Sequence, residues 1–226
     1  MREHAKRQQP AVVVSWEPLL YPLPFTLALV LRLLQLGAFA VRDELTWTFR
    51  ACRFFLSLGA ADAGAAAMDP SGTVTFLIAS VGLGLRRLAT APTTTSSWQA
   101  LQALSSLDIQ SVEQLRLVAG SWPAAMLPLA AAAALLTVLP AMLATRLWSA
   151  RAGMLTALFL AFSPVLVAGA RVLAPEAITA PLVLGALLAL LWALVRRHAR
   201  FGYALSGVLC GLALLNQAQA GLLLPY

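Results

Sequence analysis

Charge is scarce in this chain. Only 11% of its 226 residues are Asp, Glu, Lys or Arg, against about 25% in a typical soluble domain. A surface so poor in charge excludes an ordinary soluble globule. Cysteine is scarcer still. Cys52 and Cys210 are the only two, neither sits in a metal-ligand spacing, and two make no disulfide framework. Cys210 falls in an apolar run and Cys52 outside one, so no pairing between them is expected. Lysine is reduced to Lys6; the other basic residues are arginines, within a formal net charge of +7. A basic balance can signal nucleic acid. Here the cations are strung between apolar runs rather than gathered in one patch, which points to membrane topology and to no nucleic-acid partner. There is no internal repeat.

Apolar residues fill the space, at 60% of the chain. Several runs approach the roughly 20 residues that cross a bilayer. The expected class is therefore an all-α integral membrane protein, a polytopic helical bundle. The first span falls within residues 18–40, with Pro22 and Pro24 near its start, where a helix tolerates them. Ala38-Phe39-Ala40 imitates a signal-peptidase site. The run is longer than a signal core of about 7–15 residues, and Arg32 interrupts it, so it reads as a span. Further apolar regions lie at 73–88, 115–145 (holding Pro123, Pro128 and Pro140), 152–169, 177–195 and 203–224.

Segment 73–88 is the ambiguous one. Its residues reach about 24 Å as a helix, short of a hydrocarbon core of about 30 Å. The positive-inside rule supplies a separate test. If 73–88 does not cross, Arg2, Lys6, Arg7, Arg146, Arg151, Arg196, Arg197 and Arg200 all face the cytoplasm, and the one short external loop holds Arg171 alone. If it crosses, the last five of those cations move outside. The first arrangement gives a cytoplasmic tail at 1–17 and a transmembrane domain at 18–226. It has about five spans, a long external segment at about 41–114, and 73–88 in the interface or re-entrant. The protein is thus expected to be multi-pass in the cell membrane with its N-terminus cytoplasmic.

The external segment opens on "VRDELTWTFRACRF". Leu45, Phe49, Cys52 and Leu56 recur at helical spacing, Thr46, Arg50, Arg53 and Ser57 form a polar stripe, and Gly59 is a stop signal. Such a helix should lie flat on the membrane, its arginines at the level of lipid phosphates. Asp43 and Glu44 stand at its start. Two readings stand side by side for Asp43: an N-cap favoured by the helix dipole, and a positioned catalytic carboxylate. The two are compatible.

The order "LVLRLLQLGAF", "RDELTWTFRACRFFLSL", "MDPSGTVTFLIASVGLGL", "FSPVLVAGARVLAPEAITA" and "LSGVLCGLALLNQAQAGLLLPY" resembles the polytopic GT-C glycosyltransferases. It is most similar to the protein mannosyltransferase and aminoarabinose transferase group, glycosyltransferase family 39, over residues 20–226. The resemblance implies a GT-C-like bundle whose first external loop carries interfacial helices. It implies transfer of a sugar from a polyprenyl-phosphate carrier to an acceptor on the external face. By that likeness Asp43 is the general base or a metal-associated carboxylate, Glu44 supports it or binds acceptor, and Glu176 is the acidic residue at the outer end of the third span. Asp43 and Glu176 would converge, and a divalent metal, if one is used, would sit with them. Arg171 leads the candidates for the departing phosphate, followed by Arg32, Arg50 and Arg53, with Asp69 a further binding candidate. The implied partners are a lipid-linked sugar donor, membrane lipids and a second membrane polypeptide supplying missing spans.

Plainer readings stand beside these. Arg32 can snorkel to the interface, Arg171 can be a loop charge or pair with Glu176, and Glu176 after Pro175 can begin a helix. Asp69 before Pro70 fits a turn. The family's Thr-Lys step in the fifth span is Asn216-Gln217 here. The chain also stops where family members continue, so an N-terminal portion, or a non-catalytic relative acting as an assembly partner, is the alternative. A transporter is disfavoured, because apart from Arg32 the spans carry almost no ionisable groups between their ends.

Overall fold

A computed structural model describes residues 21–34, 42–59, 72–90, 112–195 and 200–218. Among these there are eight α-helices and no strand. They are α1 (Pro22–Leu33), α2 (Arg42–Gly59), α3 (Thr73–Thr90), α4 (Val112–Leu147), α5 (Ala150–Phe162), α6 (Pro164–Arg171), α7 (Glu176–Val195) and α8 (Arg200–Asn216). The tail at 1–17, Asp69, and Arg196, Arg197 and His198 lie outside the described residues.

Helix starts and stops follow local chemistry. Prolines at the first positions of α1 and α6 need no intrahelical donor there. Ser149 caps α5, its side chain accepting from the Ala152 N–H. Ser163 precedes Pro164, and a residue before proline is pushed out of the helical region. Its ψ of 114° ends α5, and α6 sets off at a bend of 49°.

Five full spans were expected; the described helices give fewer. Pro123–Leu147 and Glu176–Val195 are long and apolar enough to cross a bilayer, and α5 with α6 makes a third only as one broken span. The expected first span is 12 residues of helix, stopped where Leu34 turns extended. The expected fifth is 17 residues, ended at Asn216, whose side chain is engaged by neighbouring helices instead of by its own. At about 1.5 Å per residue neither reaches across a core of about 30 Å. α3 is not among the spanning helices either, in line with the short length of 73–88.

α4 is the central column, in contact with α1, α2, α3, α5, α6 and α7, while α8 packs along α7. With little hydrophobic drive between helices in lipid, close packing of small residues holds them. Ala28, Ala134 and Ala161 join α1, α4 and α5. Gly153 presses on Thr145 and the Ala141 carbonyl, and Gly202 on Ala193. Gly82 of α3 lies equally close against backbone, at the carbonyl oxygen of Ala124. Pro128, four residues on, has no N–H to offer that carbonyl, so the oxygen is left for α3 to cover.

The expected faces of α2 need correction. The buried positions are Thr48, Ala51, Cys52 and Ser57, while Phe49 and Leu56 are half-buried. Ser57, assigned to the polar stripe, lies inward and donates its hydroxyl to the Phe54 carbonyl. Packing against α3 sets this: Trp47 and Phe54 both lie against Phe76, with ring centroids 6.0 and 6.1 Å away.

Candidate functional site

One end of the bundle gathers the C-termini of α1, α6 and α8 and the N-termini of α3 and α7. At α1, the last carbonyls lack intrahelical donors. Arg171, closing α6, fills one of these gaps by donating Nη2–H to the Leu31 carbonyl at 2.6 Å. The next residue, Arg32, is completely buried and donates Nη1–H to the Ala28 carbonyl at 3.0 Å. Capping therefore accounts for the Arg171 bond, whereas Arg32 bonds a carbonyl four residues back inside its own helix. Nε and Nη2 of Arg32 and Nε of Arg171 remain buried with no partner. A buried cation without an anion is costly. Glu176 is the only acidic residue whose side chain is described, and it accepts from Gln217 Nε2 at 3.0 Å instead. The expected Arg171–Glu176 pairing is not made, because each has taken a neutral partner. Snorkelling of Arg32 is likewise overturned: its guanidinium turns into the bundle against α1's own carbonyl.

Beside this pair stands a fully satisfied polar node. Asn216 Oδ1 accepts from Thr75 N–H at 2.9 Å and from Thr75 Oγ1 at 3.0 Å. Its Nδ2 donates to the Pro175 carbonyl and to Thr179 Oγ1, both at 2.9 Å. Its own carbonyl accepts from Gly72 N–H at 2.6 Å. Gly72, at φ 95°, packs within 3.3 Å of Pro175 as measured from an ideal Cβ. One side chain thus ties the first turn of α3 to the turn that presents Glu176.

Between Arg171 and Glu176 the chain reverses through Leu173, at φ 53°. Ala174 N–H closes the turn on the Gly169 carbonyl at 3.1 Å. This is the helix-ending pattern that usually employs glycine. Here a fully buried leucine takes the strained position.

The other candidates lie on α2. Asp43 and Glu44 have their backbone in the first turn of α2, and their side chains lie outside the described residues. Arg50 stacks on Trp47 at 4.9 Å, and Arg53 is half-buried. Among the described residues no three His, Cys, Asp or Glu cluster as a metal would need. Of Asp43 and Glu176, the two carboxylates expected to hold a metal, only Glu176 has a described side chain. Sequence reading did not anticipate the Asn216 node or the strained Leu173. An asparagine closing a leucine-rich run was the one visible signal.

Apolar spans around a polar helix-end cluster define a membrane-embedded α-helical domain. The family profile described as dolichyl-phosphate-mannose-protein mannosyltransferase matches residues 114–226, half of the chain, and through that half the chain belongs to this family. Arg171, Glu176, Asn216 and Gln217 fall inside the match, whereas Arg32, Asp43, Glu44, Arg50, Arg53 and Asp69 fall outside it. Neither a curated protein nor a solved structure gives a significant match.

Proposed function

We propose that this chain forms the membrane part of a glycosyltransferase that moves a sugar from a polyprenyl-phosphate carrier to an acceptor hydroxyl on the external face of the cell membrane. The observation carrying this reading is the bond from Arg171 to the Leu31 carbonyl, one residue before the fully buried Arg32, with three guanidinium nitrogens that find no hydrogen-bond partner among the described residues. The matched family is named for a sugar carried on a lipid phosphate. A phosphate bound here supplies the missing counter-charge, and guanidinium geometry suits it.

In the transfer step the acceptor oxygen attacks the anomeric carbon. The bond from that carbon to the phosphate oxygen breaks, and its electron pair stays on phosphate beside Arg32 and Arg171. The acceptor proton passes to the Asp43 carboxylate, a positioned general base. Glu44 and Glu176 hold the acceptor, while Arg50, Arg53 and Asp69 line the approach from the headgroup layer. Asp43→Asn should abolish transfer from a lipid-linked donor while membrane insertion is unchanged. Full transfer in that variant would remove Asp43 from this role.

One observation favours a second reading. Gln217 occupies Glu176 at the step where the family has a lysine. A non-catalytic relative acting as an assembly partner tolerates that arrangement. Capture of a stable membrane partner, with no transfer in any preparation containing both, would favour it.

A further inference from the structure

The bundle end remote from Glu176 is built from two helix reversals. α4 turns into α5 there, and α7 closes where α8 opens. Leu143 and Leu147 of α4 pack with Leu188 and Trp192 of α7 and Leu205 of α8, which brings both reversals to the same end. Close backbone approaches pin each one: Gly153 lies on Thr145 and the Ala141 carbonyl, and Gly202 on Ala193 and the Ala189 carbonyl. Arg151 and Arg200 precede those glycines in the first turns of α5 and α8, and both are exposed. Arg146, also exposed, lies over Trp192 with its Cζ 5.5 Å from the ring centroid.

Between Pro140 and Leu205 the sequence holds one acidic residue, Glu176, and it opens α7 at the opposite end. Arg146, Arg151 and Arg200 therefore meet no carboxylate among the described residues. Trp148, Phe201 and Tyr203 are exposed at the same two reversals. Tryptophan and tyrosine settle at headgroup depth, where guanidinium groups meet lipid phosphates. Each cation beside an anionic leaflet adds to the attraction. Charge bias of this kind orients a chain in the membrane; arginines that nothing at their own end neutralises also choose among lipids.

We propose that the rim made by the α4–α5 and α7–α8 reversals is a docking surface for anionic phospholipid headgroups, so that the bundle gathers acidic lipids at this end. Arg146, Arg151 and Arg200 bond the phosphates, and Trp148, Phe201 and Tyr203 hold the depth. The proposal does not depend on sugar transfer, because this end lies away from Arg171 and Glu176.

The test places the full chain in nanodiscs of equimolar phosphatidylcholine and phosphatidylglycerol. Native mass spectrometry of protein released from the discs counts the lipids that stay bound. Phosphatidylglycerol should exceed phosphatidylcholine among them roughly fivefold, the effect of one arginine beside an anionic surface. Arg151→Gln combined with Arg200→Gln should bring the ratio close to one. Arg151→Lys combined with Arg200→Lys keeps the charges and should keep the preference. Arg87→Gln, which removes one cation from the end of α3, is the control for Arg151→Gln alone and should leave the ratio unchanged. Both leaflets of a disc have the same composition, so the direction of insertion does not alter the reading. Equal numbers of the two lipids on the unaltered chain would overturn the proposal. So would a preference that survives the double glutamine variant, or an equal loss in Arg87→Gln and Arg151→Gln, since the selectivity would then come from net charge and not from this rim.

Discussion

Asn216 Nδ2 donates to the carbonyl of Pro175 across 2.9 Å, while its Oδ1 accepts from the Thr75 N–H. Three helices therefore meet on one buried amide. Asn216→Ala leaves the buried Thr75 N–H without its partner, whereas the Pro175 carbonyl keeps the Thr179 N–H and hydroxyl as donors. An orphaned buried donor costs about 1–3 kcal/mol. The variant should lose about 2 kcal/mol of stability, read by denaturation in detergent. It should also expose α3 first to limited proteolysis, because α3's N-terminal turn loses its hold. Thr75→Val, which removes one hydroxyl bond, should lose about 1 kcal/mol.

Gly82 makes the second prediction. A Cβ there would come within 1.9 Å of the Ala124 carbonyl oxygen and 2.8 Å of Pro128 Cγ. Neither is the tip of a flexible side chain, so α3 must move off α4. Gly82→Ala should destabilise by about 3 kcal/mol, the upper range for overpacking. Gly84→Ala is the control: its nearest neighbour, Phe55 Cε2, is 3.7 Å away, an ordinary contact. Equal thermal stability of the two variants would show that the α3–α4 approach is not tight.

Much of this fold is legible because its signals are local. The Asp43-Glu44 start and Gly59 stop foretold Arg42–Gly59, and the apolar runs 73–88 and 177–195 became Thr73–Thr90 and Glu176–Val195. What escaped depends on distant partners. Pro128 and Pro140 sit inside a continuous α4 while Pro164 opens a new helix, and proline alone does not say which. Arg32 looks the same in sequence whether it snorkels or turns inward. The inward Ser57 was set by the aromatic contacts of α3, invisible in α2's own periodicity. Asp43 and Glu44 were singled out readily, but their expected convergence with Glu176 rests on side chains outside the described residues.

Cys52 yields a prediction about pH. Burial pushes its thiol up from 9.0 to about 12, and the nearby charge of Arg86 opposes this only in part. The folded thiol therefore keeps its proton more tightly than the unfolded one. Its contribution is fully present below about pH 9 and is lost as pH rises toward 12. Within that window the slope is up to about 1.4 kcal/mol per pH unit. Cys52→Ala should flatten this alkaline loss relative to the unaltered chain. At pH 8, maleimide should label Cys52 only as fast as the protein unfolds, because thiolate is the reactive form. Prompt labelling of Cys52 in the folded protein would contradict its burial.

Leu173 separates backbone strain from side-chain packing. At φ 53° a leucine carries about 1 kcal/mol or more of steric cost that glycine does not. Its side chain is fully buried in the main core, and removing a buried leucine side chain costs about 2–5 kcal/mol. Both Leu173→Gly and Leu173→Ala should therefore be destabilised. Alanine keeps the strained backbone and loses the packing, whereas glycine loses the packing and sheds the strain. The usual order is then reversed: Leu173→Gly should be more stable than Leu173→Ala by about 1 kcal/mol. Chemical denaturation of the two variants in the same detergent measures that difference. Alanine equal to or better than glycine would mean that the turn holding Arg171 and Glu176 relaxes to negative φ once the leucine is gone. The strain would then belong to the leucine's packing and not to the turn itself.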